Sequence, residues 1–596
     1  MKPVWKWVIG VVAFLIIAVV SASWYLSIHW KPIVEDQLKE AIKDASDSLY
    51  TLKYDDLDIN PGLGNVVVKN VELIPDSNVY KQMDQRKEAP NNRVHIKVSK
   101  LKIVSFNIID ILKKKKLKIE SIEFESPKIH LMNEYHAYND TVSTKPQKTL
   151  YESVKKFLNT IQIGGIKVED ISFKYTQLDK GRSSHMEIEK VNLRVRDVLI
   201  DSTSISDSLR FYHTKMIELE VPKFEYPLPN GLYKVGFEKL KINTEEQNIL
   251  LTKVSYVPQL KKDAFYKKKG SGGSIASLRF DTVRFENLDF KNLMRNKQLT
   301  ARRAQIRNGS VVISSDKRYH SPSENKIGQS PHQKLLQLKG LLRLDTVLVE
   351  NVDVTYSEFS NKYLKEGSIS FDHTRGYLTN VTNDSVALKK DKWMRANLSS
   401  NIMGSGLLKV EFGFDMLSKQ GEHTYKGSVG AMNATAFNRI LRPLLNVEIA
   451  SGNIKRINFD YKANDYRNWG TFKFDYNHLK INILNEQGKG EEKVSKRAIS
   501  FLVNSFILND SNPDANEIYH VGNVNYKRVP QYPFFKTLWQ SLLAGIKQCV
   551  GMTPEREAKL MGKAETATET ISKTKKFFNS IFKKKDKKEE DKKEKK

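Results

Sequence analysis

The sequence predicts a mainly β chain, and three observations predict it. One spacing of apolar residues recurs along the 596 positions, and short runs alternate apolar with polar residues. Only 40% of residues are hydrophobic although aromatics reach 10%, a balance that suits half-exposed sheet and is too apolar for a disordered chain. The clearest copy of the spacing is Leu344, Val347, Val349, Val352, Val354 and Tyr356. Ile119, Ile122, Phe124, Pro127, Ile129 and Leu131 repeat it, as do Ile163, Ile166, Val168, Ile171, Phe173 and Tyr175. Phe280, Val283, Phe285, Leu288 and Phe290 make a fourth copy. Each copy has a glutamate after its third apolar position (Glu125, Glu169, Glu286 or Glu350), followed by Ser, Asp or Asn. Looser copies run through Val66, Val68, Val71 and Leu73, and through Leu101, Ile103, Phe106 and Ile108.

A step of two keeps side chains on one face of a strand, whereas a step of three shifts the apolar set to the other parity. The odd residue has two outlets. A β-bulge would keep one apolar face through the switch, and a tight turn at Glu-Ser, Glu-Asp or Glu-Asn would fold the stretch into a hairpin. The absence of Asn-Gly or Asp-Gly at these positions favours the bulge. Irregular intervals between copies exclude a fixed-period solenoid.

From the N-terminus, Val8 to Ile28 is uncharged and long enough to cross a bilayer, with Lys2 and Lys6 before it and Trp5, Trp7, Trp24, Tyr25 and Trp30 at its ends. The expectation is a transmembrane anchor over 1–30 with its N-terminus cytoplasmic. A cleaved signal peptide with Val20-Ser21-Ala22 at its end is the rival, and the apolar run continuing past that site argues against it. Val34, Leu38, Ile42 and Ala45 predict a short amphipathic helix over 31–50. A repetitive β region over 51–530 follows, interrupted by a helix whose stripe is Tyr151, Val154, Phe157, Leu158 and Ile161. Phe534, Phe535, Leu538, Trp539, Leu542, Leu543 and Ile546 share one face of a predicted helix over 531–551. The stretch 552–596 reads as a Lys-rich, disordered tail. Within it, Lys573 to Lys596 holds 12 Lys against 5 acids, and Lys575, Lys576, Phe577, Phe578, Phe582 and Lys583 are the candidates for contact with an anionic membrane surface. The same composition also suits a solubilising tail.

The formal net charge of +29 points to an anionic partner. Zinc-finger, RNP-like and helix-turn-helix patterns are missing, so no nucleic acid is expected and lipid headgroups or envelope polyanions are preferred. The twelve histidines are scattered without metal-site spacing, and the single cysteine, Cys549, excludes an internal disulfide framework. Gly404-Ser-Gly406 and Gly270-Ser-Gly-Gly273 continue into neither a phosphate loop nor a nucleophile elbow. No catalytic residue, metal or cofactor is expected, and the chain reads as a non-enzyme.

An N-terminal span, a short helix and long runs of strands with the phrase Leu117-Lys-Ile-Glu-Ser-Ile-Glu-Phe-Glu-Ser-Pro-Lys-Ile-His-Leu131 resemble the AsmA-like bacterial envelope proteins. Trp469 to Ile481, Arg497 to Asn504 and Val521 to Arg528, followed by Phe534 to Gly545, look like the end of that family's larger members. The resemblance implies a long curved antiparallel β-sheet groove, similar to chorein-type bridge lipid-transfer proteins, that carries phospholipid acyl chains. It further implies a single-pass protein of the bacterial inner membrane with its body in the periplasm. Ile122, Phe124, Ile166, Val168, Phe173, Val283, Phe285, Phe290, Val347, Val349 and Val354 are then the expected groove residues. The expected partners are phospholipid and membrane. The alternative is a membrane-tethered scaffold for envelope assembly, with a closed, ligand-free core and other envelope proteins as partners.

Overall fold

The computed structural model describes residues 46–60, 64–106, 113–140, 158–179, 182–204, 209–321, 324–484 and 509–552, with a few single residues between these runs. The expected anchor, almost all of the helix over 31–50, part of the helix near 151–161, the stretch Arg497 to Asn504 and the Lys-rich tail lie outside the described residues. Among the described residues no helix is long and apolar enough to cross a membrane. The chain is mainly β, and its described strands pair into one mixed sheet of 24. It divides into two compact units, the first holding residues 1–226, 235–254 and 282–296, the second 227–234, 255–281 and 297–596.

The first unit begins with β1 (Tyr50–Lys53) and β2 (Asp56–Asn60), both antiparallel to β3 (Asn65–Pro75). Helix α1 (Ser77–Gln85) follows, started by Asp76, whose carboxylate accepts from the amides of Asn78 and Val79 at 2.7 and 3.1 Å. Strand β4 (Asn92–Phe106) pairs with β3, with β5 (Lys116–Glu125) and with β6 (Lys128–Glu134). The next strand, β7 (Thr160–Asp179), runs parallel to both β5 and β6, which corrects the antiparallel expectation. Alternation of apolar residues fixes the face of a strand but not the direction of its neighbour. Parallel pairing requires a long return connection, and that connection contributes Leu158, 1% exposed, to the core built from β1–β5, β7 and β8. Strands β8 (Arg182–Ile200) and β9 (Thr214–Val221) continue antiparallel. After β10 (Phe224–Pro227) and β11 (Tyr233–Phe237), β12 (Lys239–Asn243) returns to pair with β9 and with β13 (Asn248–Pro258), β11 and β13 being divided between the two units.

In the second unit, α2 (Lys262–Lys269) ends on Gly270 in the left-handed conformation and buries Phe265 and Tyr266 beside Ile275 of β14 (Ser274–Leu288), a strand divided between the two units. The short α3 (Phe290–Asn296) belongs to the first unit. Strand β15 (Leu299–Asp316) is parallel to β16 (Leu342–Phe359), the second departure from the antiparallel expectation. The 317–341 return connection between them carries α4 (Pro331–Leu336), opened by a capping box of Ser330 and Gln333. From β16 the order is antiparallel through β17 (Glu366–Thr382), β18 (Trp393–Ile402), β19 (Gly406–Asp415) and β20 (His423–Val429), with α5 (Ser385–Lys390) between β17 and β18. The short β21 (Met432–Asn433), like β20, pairs with β22 (Val447–Ala463), and α6 (Asn438–Leu445) precedes that strand. Strands β23 (Arg467–Ile483) and β24 (Val521–Lys527) follow.

Helix α7 (Phe534–Cys549) covers the apolar side of β20–β24. It approaches closely because Gly545 has no side chain: a Cβ there would lie 2.5 Å from Cβ of Phe472. Phe534, Leu538 and Cys549 join Phe414, Tyr425, Tyr461, Phe472 and Tyr476 in one core of this unit. Leu335 of the return connection packs against it.

Candidate functional site

The repeated spacing builds one apolar face, and the pairing registers show how. Between Val349 and Val352 three residues of β16 oppose two of β17, since Val349 faces Gly376 and Val352 faces Thr374. Two residues later the excess lies on β17, where Val354 faces Phe371. Asn351 and His373, with φ of 55° and 54°, are the inserted residues. This is a pair of bulges, and the pair β7–β8 repeats it with Asp170 and Lys190 at φ 55° and 58°. Ser126, Asn287, Asn70 and Ser105 carry the same left-handed backbone before their own switches. The residue after each glutamate is therefore Ser, Asp or Asn because short polar side chains tolerate this conformation, Asn and Asp best. The glutamates point away from the apolar face and meet cations: Lys100 and Glu125 are 3.1 Å apart, Lys167 and Glu169 2.8 Å, and Arg307 and Glu350 2.6 Å. Such exposed pairs contribute about 0–1 kcal/mol each, so they mark the wet side more than they stabilise it.

Around the bulge of the second unit, side chains tie three strands together. Asn351 Nδ2 donates to Asn308 Oδ1 at 2.9 Å, and His373 Nδ1 donates to Asn351 Oδ1 at 2.8 Å. Asn308 also has a positive φ, so the three inserted residues form one row across β15, β16 and β17.

The expected groove residues fall into three environments. Ile122 is 1% exposed inside the core of β1–β5, β7 and β8, with Phe124 and Ile166 half-buried against that core. Ile122 is thus enclosed by the protein core, where the expectation placed it on an open groove face. Val168 and Phe173 lie half-buried farther along the same face. Val168 is opposite Leu193, which is opposite Leu219, while Phe173 lies between Ile129 and Ile188. Val283 and Phe285 of β14 are also half-buried. Phe290 is the second correction. The strand ends at Leu288, and Asp289 Oδ1 accepts from the amide of Asn292 at 2.9 Å, so a helix starts where a continued strand was expected. Phe290 is buried in α3, its ring 6.2 Å from that of Phe211.

Val347, Val349 and Val354 are half-buried and line a face that reading single strands does not reveal in full. Pairing adds Ile306 and Val311 from β15 and Leu378 and Phe371 from β17. Opposite Val349 stands Gly376, so no side chain fills that place. The ladder continues from Leu378 through Ala396, Phe412 and Tyr425 to Tyr461, the last two fully buried in the core that α7 joins. The membrane-surface candidates Lys575, Lys576, Phe577, Phe578, Phe582 and Lys583 lie outside the described residues.

Among the described residues, Ser204 and His213 resemble a nucleophile and base, with Oγ 2.8 Å from Nδ1. Ser204 is 2% exposed and also bonds the carbonyl of Asp201, and burial holds the His213 pKa below its ordinary value. Both side chains are buried, and the pair stitches a loop. Groups of three or more metal-ligating side chains do not occur among the described residues. Compared with known proteins, the chain matches no family model and gives no significant sequence match to a curated protein.

Proposed function

We propose that the half-buried apolar face binds phospholipid acyl chains, and that the protein is a membrane-anchored envelope protein that holds or conducts phospholipids between membranes. One observation carries the reading. Val347, Val349, Val354, Ile306 and Val311 keep part of their surface in solvent, whereas Tyr425, Phe459, Tyr461, Phe472 and Phe474 of β20, β22 and β23 are fully buried in the core that α7 joins. An apolar sheet face needs a cover. An acyl chain supplies one, each methylene contributing about 0.8 kcal/mol on burial, so about ten methylenes offset about 8 kcal/mol of the cost of leaving a bilayer. The opposite face, lined by ion pairs such as Arg307 with Glu350, stays in water.

The ligand-free scaffold remains the second reading, favoured by the fully buried aromatic core of β20–β24. The two differ in bound lipid. Purified protein in mild detergent should carry phospholipid detectable by mass spectrometry, and Val349→Asp with Val354→Asp should remove it. Protein without lipid, or unchanged occupancy in the double variant, would overturn the lipid reading.

A further inference from the structure

We propose that the strand ends of the second unit where β16, β18, β20 and β23 begin form a docking edge for an anionic phospholipid bilayer. The inference rests on the lipid reading above for its choice of partner, and on separate residues for its evidence. Each turn at this end carries an exposed apolar side chain: Leu338 before β16 is 50% exposed, Val386 in α5 63%, Leu417 after β19 51%, Tyr466 after β22 58% and Phe535 at the start of α7 67%. Hydrogen bonds join these turns into one edge. Asn383 Nδ2 reaches the carbonyl of Gly340 at 2.9 Å, the amide of Met416 donates to Lys392, Asp465 to Gln420 and Arg528 to Tyr466.

Charge selects the occupant. Lys339, Lys389, Lys390, Lys419 and Arg467 lie within four residues of these apolar tips. Acids of the same turns are largely engaged within the fold. Asp384 caps α5, Asp391 holds Arg395 at 2.7 Å, Asp415 holds Lys392 at 2.7 Å, and Asp465 is buried with Arg528; Glu422 stays at the surface. Apolar tips flanked by cations fit an interface of acyl chains beneath anionic headgroups, and a bilayer attracts such a surface through both terms.

Environment-sensitive labels test this on the full chain, since Cys549 is buried and an introduced exposed cysteine labels selectively. The polarity-sensitive fluorophore is placed at Leu417→Cys, Phe535→Cys or Tyr377→Cys, the last an exposed position within β17. With phosphatidylglycerol vesicles the first two should shift to the blue, brighten severalfold and be quenched by brominated acyl chains, while Tyr377→Cys stays unchanged. Phosphatidylcholine vesicles should give a much smaller response. No shift at Leu417→Cys and Phe535→Cys, an equal shift at Tyr377→Cys, or a shift produced by a protein partner and not by vesicles would overturn the inference. Loss of groove lipid in the Val349→Asp, Val354→Asp protein leaves this readout unchanged, so the two proposals fail separately.

Discussion

Replacing Asn351 tests whether the bulge row holds the repeat together. Asn351→Val places a β-branched residue at φ 55°, which costs about 1–2 kcal/mol, and removes the bonds to Asn308 and His373. Each of those exposed bonds contributes about 0.5–1 kcal/mol. Asn351→Gly loses the same bonds but accepts the left-handed backbone without steric penalty. The valine variant should therefore open its local sheet about 1–2 kcal/mol more easily than the glycine variant, about tenfold in the opening equilibrium. Amide hydrogen exchange resolved along β16 and β17 reads that difference directly, with the strands of the first unit as an internal reference. Equal exchange in the two variants would refute the role given to the left-handed conformation. A rise spread evenly over both units would refute its local character.

Three further outcomes follow from buried groups in the second unit. Arg528 and Asp465, with side chains 2% and 5% exposed and 3.2 Å apart, anchor the return connection through Lys326 and Gln333. Arg528→Ala strands the carboxylate and should cost about 3–5 kcal/mol, seen as a lower urea midpoint for this unit. His332 is buried against Phe414 and His423, and burial pushes its pKa from 6.5 down to about 4. A ring harder to protonate in the fold than in the unfolded chain contributes stability present above its unfolded pKa and lost as pH falls toward 4, up to about 3 kcal/mol. His332→Phe should therefore flatten the decline in urea midpoint over that window, with any remaining slope due to other groups, including His423, whose pKa burial also lowers. Burial likewise pushes the Cys549 thiol up to about 11, so alkylation should proceed only as fast as the unit opens and become rapid in urea. Fast alkylation of the native protein would contradict the packing of α7.

Much of the β organisation was legible because it is local. A left-handed residue must be small or polar, an apolar face must keep its parity, and both demands are written within a dozen positions of Leu344 to Tyr356. The partner strands were not legible in the same way. Nothing in the alternation of β7 or β16 distinguishes a parallel neighbour from an antiparallel one, because that choice is settled by where a return connection of more than twenty residues packs. Phe290 was misplaced because an apolar residue in rhythm with the repeat outweighed Asp289 as a helix start. Ile122 was misplaced because the rhythm reports the face of a residue and not what covers it. Leu378 and Phe371 are brought beside Val347 and Val354 by the register alone, which the spacing within one strand does not encode.

The paired bulges also bear on how such a chain can change length. Asn351 inserts one residue into β16 and His373 one into β17, so the surplus on one strand is cancelled by its neighbour and the registers on either side of the row agree. Losing one member alone would turn every later side chain of that strand to the wrong face, exchanging valines for charges at the apolar surface. Losing the row together, Asn308 included, would leave the faces in place. Single-residue insertions and deletions within these strands are thus tolerated as coordinated sets, and the repeat can lengthen or shorten only by changes shared among adjacent strands.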